Sequence, residues 1–362
     1  MKRFAIVCYK YSIEVSPFLK NLCSYLVDAG FGQTDIYIDK LYRDKKASVP
    51  GAKLILETSG LLGDLFSKKD KKSFEKWLAG KLDYQKYGYI VAVDYQSLDL
   101  AIKAGVPISK IIYISFEGTE FMRAYDIQEV KQNIEGCGMH IIASKERADE
   151  INKYLDTYMD FQIVPVSMRP GMAMASFQDE GLNLIYSGYF TDWGCVLEAI
   201  DLYKQALGSV SCKLTLQGHA MATDDYLNQV KREAAKVENI IMDENYYDDE
   251  EHLHLIGSHN IGFAMYKNLT GTDNFENMLF SSGKIASYLW GGLAVVTNLE
   301  DELTRHPPFI LVNDFSPDDF LQGVHHFLSN QQTYVMKAHK LAEERYNFDK
   351  FIEPVIDKLS NE

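Results

Sequence analysis

Four residues, Ser281-Ser282-Gly283-Lys284, stand before an apolar run that stops at Gly291-Gly292. Ser281 or Ser282 can cap a helix here, and the glycine pair can end it. Such a helix start gathers backbone N–H groups, two hydroxyls and an ammonium at one point, which suits a phosphate or diphosphate. A cation in a helix's first turn opposes the dipole unless an anion is present. Lys284 is therefore read as a phosphate ligand, against the alternative of a surface lysine. Paired with a diphosphate it keeps its ordinary charge. A second candidate is Glu117, which ends the run Tyr113-Ile114-Ser115-Phe116-Glu117. A carboxylate at the C-terminal end of a strand suits a site in an open α/β sheet. The alternative is that Glu117 pairs with Arg123 or Lys110. Gly188 and Gly218 end two further strand-like runs and are either turn glycines or points of close ligand approach. His219 follows Gly218 and is either structural or a ligand contact. Asn274 and Asn277 are loop formers or partners of sugar hydroxyls.

These residues need elements to position them. The first half reads as strands Phe4–Tyr9, Thr34–Asp39, Tyr87–Asp94, Lys110–Glu117, Met139–Ser144 and Gln162–Ser167, with helices such as Pro17–Ala29 and Lys145–Thr157 between them. The strands are apolar without clear alternation, as in a parallel sheet covered on both faces. Residues 41–82 read as a long insertion. The run 164–171 reads as a last strand and a linker. A second series follows, with strands 183–190, 213–218, 239–243, 260–266, 294–297 and 308–312. Its helices are 195–207, 224–236, 248–256 and 282–290. The expected fold is α/β, with two Rossmann-like, doubly wound domains facing a cleft. The expected division is 1–170, 171–345 and a terminal helix, 346–362, that packs back on the first domain.

Composition narrows the function. The formal net charge of -14 argues against nucleic-acid binding. Five scattered cysteines without a C-x-x-C pair argue against a disulfide framework or a zinc knuckle. His252 and His254, two apart in a helical stretch, fall on different faces, so no metal site is expected. No Asp-x-Asp motif occurs. No apolar run reaches transmembrane length, and the start reads as a first strand, so a cytoplasmic location is expected. Residues 1–80 carry 14 Lys/Arg against 9 Asp/Glu. Lys68, Lys69, Lys71, Lys72 and Lys76 lie among Leu61, Leu62, Leu65, Phe66, Phe74, Trp77 and Leu78. Segment 61–78 is therefore either a peripheral contact with an anionic membrane surface or a solvated helix with a core face.

The pattern Ser281-Ser282-Gly283-Lys284, followed by Tyr288-Leu289 and Gly292-Leu293-Ala294-Val295-Val296, resembles the donor-binding helix of GT-B-fold glycosyltransferases of the broad family-4-like group. Residues 184–190, 214–219 and 261–266 are similar to that family's donor-domain strands with their glycine turns. The resemblance implies a retaining, metal-independent transfer of a sugar from a UDP- or GDP-linked donor, with no cofactor. The acceptor would be a saccharide or lipid-linked glycan in cell-surface polysaccharide synthesis, and the protein would sit on the inner face of the plasma membrane. It implies donor contacts by Gly188, Tyr189, Gly218, His219, Tyr266, Asn274, Asn277, Ser281, Ser282, Gly283, Lys284, Ser287 and Tyr288, with Glu117 and Lys284 as catalytic groups. The chain also departs from the family. Tyr189 and Trp193 stand where an Arg and a Lys are usual, and Leu279 and Ser287 stand where two Glu are usual. Ribose would then fall to Ser287 or Tyr288. The alternative is a non-catalytic GT-B partner subunit or glycan-binding protein. A sugar-nucleotide epimerase is a third option.

Overall fold

The computed structural model describes residues 3–9, 16–39, 49–56, 71–169, 181–207, 211–219, 224–268 and 278–361. The chain divides into two compact units. Unit 1 comprises Met1–Val166 with Phe348–Glu362, and unit 2 is Ser167–Asn347.

In unit 1 the elements are β1 (Phe4–Cys8), α1 (Pro17–Asp28), β2 (Thr34–Ile38), β3 (Ala52–Leu56), α2 (Lys71–Lys81), β4 (Tyr89–Val93), α3 (Asp94–Lys103), β5 (Ile111–Ser115), α4 (Ile127–Glu135), β6 (Met139–Ile142), α5 (Lys145–Tyr154) and β7 (Gln162–Ile163). Among the described residues they form a parallel sheet in the order β3-β2-β1-β4-β5-β6-β7. The central strands β1, β4 and β5 are largely apolar because both faces are covered. Ala5 and Val7 enter one core, while Phe4, Ile6 and Cys8 enter the other. The last helix, α12 (Phe348–Asn361), belongs to this unit and buries Phe348, Ile352, Val355, Ile356 and Leu359 in the second of these cores.

The stretch read as an insertion is in part the fold itself. Ala52–Leu56 pairs with β2 as the edge strand, and α2 puts Phe74 and Leu78 into the core. Trp77 packs on Phe74 and Tyr37, and Lys71 pairs with Asp99. The apolar residues of 71–78 thus pack on the core, and Lys72 and Lys76 are exposed. Residues 61–70 lie outside the described residues.

Unit 2 contains β8 (Leu182–Ser187), α6 (Val196–Leu207), β9 (Cys212–Gln217), α7 (Asp224–Ala234), β10 (Ile240–Asp243), α8 (Asp249–Gly257), β11 (Ile261–Phe263), α9 (Gly283–Trp290), β12 (Ala294–Thr297), β13 (Phe309–Leu311), α10 (Pro317–Ser329) and α11 (Gln331–Arg345). Its sheet is parallel, in the order β10-β9-β8-β11-β12-β13. This is the doubly wound order with a switch point between β8 and β11. Open α/β sheets bind ligands outside the strands' C-terminal ends at such a point. Unit 1 has its own switch point between β1 and β4.

Candidate functional site

In unit 2, β8 and β9 each run directly into a glycine. Gly188 and Gly218 adopt φ of 144° and 152°, where side chains are strained. A Cβ on Gly218 would lie 1.8 Å from the Gly188 carbonyl oxygen, and one on Gly188 would lie 3.2 Å from Lys284 Cε. The two turns are therefore in backbone contact, and the Lys284 stem passes over the first of them.

Helix α9 is held at this switch point by its own side chains. Ser282, not Ser281, is the N-cap, and its hydroxyl accepts from Ile285 N at 3.4 Å. The Tyr266 hydroxyl bonds to the same oxygen. Ser281 is half-buried in the preceding turn, and Gly283 is the first helical residue. Gly283 and Lys284 carry N–H groups that no intrahelical acceptor can satisfy. Tyr288 packs over Gly262 of β11, where a Cβ would meet its ring at 2.5 Å. The Tyr288 hydroxyl accepts from Ser187 N at 2.8 Å and donates to Phe263 O at 3.3 Å. It therefore pins α9 to β8 and β11.

Lys284 ends in an aromatic enclosure. Its ammonium lies 3.9 Å from the centre of the Tyr186 ring and 5.5 Å from that of Tyr266. Trp193 stacks behind Tyr266, with ring centres 6.4 Å apart and planes at 12°. Glu198 and Asp192 pair with Lys267 instead. Among the described residues no carboxylate lies within ion-pair distance of Lys284. The residue as a whole is half-buried, and its ammonium is the enclosed part. Burial lowers its pKa to about 7, with a minor opposing effect of Cys195. Without an anion, desolvation thus favours the neutral amine, whereas the expectation of an ordinary charge concerns the diphosphate-bound state.

The two residues expected to hold ribose are engaged elsewhere. Ser287 donates to Gly283 O at 2.9 Å within its own helix and is 6% exposed. Tyr288 is wholly buried in the contacts above. Tyr189 and His219 sit half-buried at the glycine turns. The carbonyl of Tyr189 accepts from the Tyr186 hydroxyl at 2.7 Å, and that of His219 from Phe190 N at 2.8 Å. Asn274 and Asn277 lie outside the described residues. The sequence reading misses a polar group at the ends of β8 and β9. Ser187 Oγ donates to Gln217 Oε1 at 2.6 Å and lies 2.7 Å from His252 Nε2. The Gln217 amide is oriented by its bond to Asn245 O at 3.2 Å. One hydroxyl proton serves one acceptor, so His252 carries its hydrogen on Nε2. Ser187 and Gln217 each precede a strand-end glycine, and that position is their signal in the sequence.

In unit 1, Glu117 lies just past β5, half-buried. Burial raises its pKa, while Arg147 opposes the rise. Beside it stands a residue that the sequence reading passes over, Asp94, at the end of β4 on the switch point. It adopts φ +58°, rare for a side-chain-bearing residue, and is 4% exposed. Its Oδ1 accepts from Phe116 N at 2.7 Å and Glu117 N at 3.1 Å. The Arg147 guanidinium donates to Phe116 O. The Phe116–Glu117 peptide is thus gripped on both sides. Burial, then the charge of Glu117, raises Asp94 to about 7.

No family model matches the chain, and no curated protein matches it. Solved structures do. The Anabaena protein HepE in complex with UDP and glucose superposes with a TM-score of 0.72 at 10% identity, over 100% of both chains. An E. coli trehalose-6-phosphate protein bound with UDP-2-fluoro glucose gives 0.68 at 12% identity, over 99% of this chain and 98% of that one. A UDP-forming α,α-trehalose-phosphate synthase from Burkholderia xenovorans gives 0.66 at 12% identity, over 100% and 99%. At such identities the likeness establishes the fold. The chain has the two-domain α/β fold of the GT-B glycosyltransferases.

Proposed function

We propose that the chain is a glycosyltransferase of the family-4-like type that takes a sugar from a UDP- or GDP-linked donor and passes it to a saccharide or lipid-linked glycan. The observation that carries this reading is Lys284. Its enclosed ammonium stands at the N-terminus of α9 and against Gly188, with no carboxylate partner among the described residues. Such a cation calls for an anion, and the neighbouring N–H groups suit a diphosphate. The same groups would stabilise charge on the departing nucleotide diphosphate, which is electrostatic catalysis. Similar folds solved with UDP and a UDP-sugar analogue support a UDP-linked donor. Unit 1 would hold the acceptor, with Glu117 among its contacts. The reaction would retain configuration and need no metal. Action on cell-surface glycans at the inner face of the plasma membrane, in the cytoplasm, belongs to the same proposal. The test is release of UDP or GDP from a panel of nucleotide sugars, with saccharide acceptors added in turn. Turnover of one donor supports the reading, and none across the panel counts against it.

One observation favours a second reading. Ser287 and Tyr288 are both engaged within unit 2, so the missing ribose carboxylate has no replacement among them. A non-catalytic partner subunit or glycan-binding protein would keep this fold without turnover. It would show no selective nucleotide affinity.

A further inference from the structure

Unit 1 places two carboxyl groups and one guanidinium, Asp94, Glu117 and Arg147, at its own switch point. The groups differ in how they are held. Asp94 Oδ1 is saturated by two backbone N–H groups, whereas Asp94 Oδ2 is buried with no hydrogen-bond partner among the described residues. Asp94 follows Val93, which pairs with Ile114, so it stands level with Ser115. Ser115 and Tyr113, on the same face of β5, are buried as well. A carboxylate oxygen left bare in such surroundings is costly, and a carboxyl there takes up a proton. Arg147 acts chiefly on Glu117. It is the leading effect holding that carboxyl down, but the last of those on Asp94. Among the described residues, the bare Oδ2 marks Asp94 as the acid of the two that takes the proton.

We propose that Asp94 is the positioning residue of this site: it holds the Phe116–Glu117 turn in its neutral, protonated form and so leaves Glu117 as the single carboxylate set against Arg147. Glu117 then faces a ligand as a hydrogen-bond acceptor for hydroxyl groups, a role that rests on the acceptor-binding reading above. The other groups that bear on the pair are Cys8 at the end of β1, Tyr113 on β5 and Glu120 in the following turn. Glu120 is acidic and opposes Arg147 at Glu117, whereas Asp39 after β2 bears on Cys8. The strained φ of Asp94 fits a residue whose backbone is fixed for its side chain's task.

The test is carboxyl 13C NMR on the full chain with labelled Asp and Glu, in parent, Asp94→Asn, Asp94→Ala and Glu117→Gln. The expected parent shows Asp94 protonated at pH 5.5, with Glu117 ionising first. Asn is a neutral mimic of protonated Asp, so Asp94→Asn should leave the Glu117 titration in place. Release of UDP from UDP-glucose should then keep its pH profile and stay within about twofold in rate. Asp94→Ala removes the grip on the turn, and the rate should fall by about tenfold or more. If that variant does not fold, Glu117→Gln decides, since loss of the neighbouring charge should move the Asp94 titration to lower pH. An Asp94 ionised at pH 5.5, or a Glu117 titration shifted down in Asp94→Asn, overturns the proposal. Should the parent release no UDP from any sugar nucleotide, the glycosyltransferase reading fails, and the titrations still decide the role of Asp94.

Discussion

The Lys284 ammonium lies 3.9 Å over the ring of Tyr186, and the adjacent Gly188 leaves room for its stem. This enclosure links stability to pH. The pKa of Lys284 is near 7 when folded, against an ordinary value of 10.5 in the unfolded chain, so between these values the unfolded chain binds more protons. Stability from this group must therefore rise as pH increases from about 7 towards 10.5. Melting followed by circular dichroism without added anions should show that rise. Lys284→Met should melt higher than the parent near pH 7 and lack this part of the pH dependence. An identical pH dependence in both proteins would contradict it.

Gly218 admits no side chain. Its φ of 152° and the 1.8 Å approach of a Cβ to Gly188 O together predict that Gly218→Ala costs about 3 kcal/mol or more. Urea denaturation would measure this. A loss below about 1 kcal/mol would mean that the two turns are not in contact.

Ser282 both caps α9 and bonds the Tyr266 hydroxyl. Ser282→Ala should cost about 1–2 kcal/mol, while Ser282→Thr should restore most of that. Equal stability of all three in denaturant titrations would show that the cap contributes nothing.

Ser287 is engaged with Gly283 O and so should not touch ribose. Ser287→Ala should leave nucleotide affinity within about twofold of the parent, measured by calorimetry. A tenfold loss would return Ser287 to the site.

How much of this is legible in the sequence follows from how local each signal is. The α9 cap, its glycine stop and Ala294–Thr297 depend on neighbouring residues, and the structure places them where residue types put them. The edge strand Ala52–Leu56 disappears into an apparent insertion, because charge clusters around it mask a short apolar run that only pairing with β2 explains. Asp94 reads as the last residue of a strand. Its role depends on Phe116 and Glu117 beyond the next strand, a contact that spacing does not reveal. Tyr288 carries a polar handle in a helix expected to face the ligand, yet its hydroxyl belongs to Ser187 across the switch point. Sequence shows which side chains have polar groups, and packing decides which of them are already engaged.

On this reading, Lys284 at the head of α9 receives a nucleotide diphosphate. The decisive measurement is the thermal shift of the parent and of Lys284→Met with UDP, GDP, ADP, CMP and dTDP. One nucleoside diphosphate should stabilise the parent and not the variant, since a ligand that binds only the folded state raises the melting temperature. No shift with any nucleotide, or an equal shift in both proteins, would contradict it.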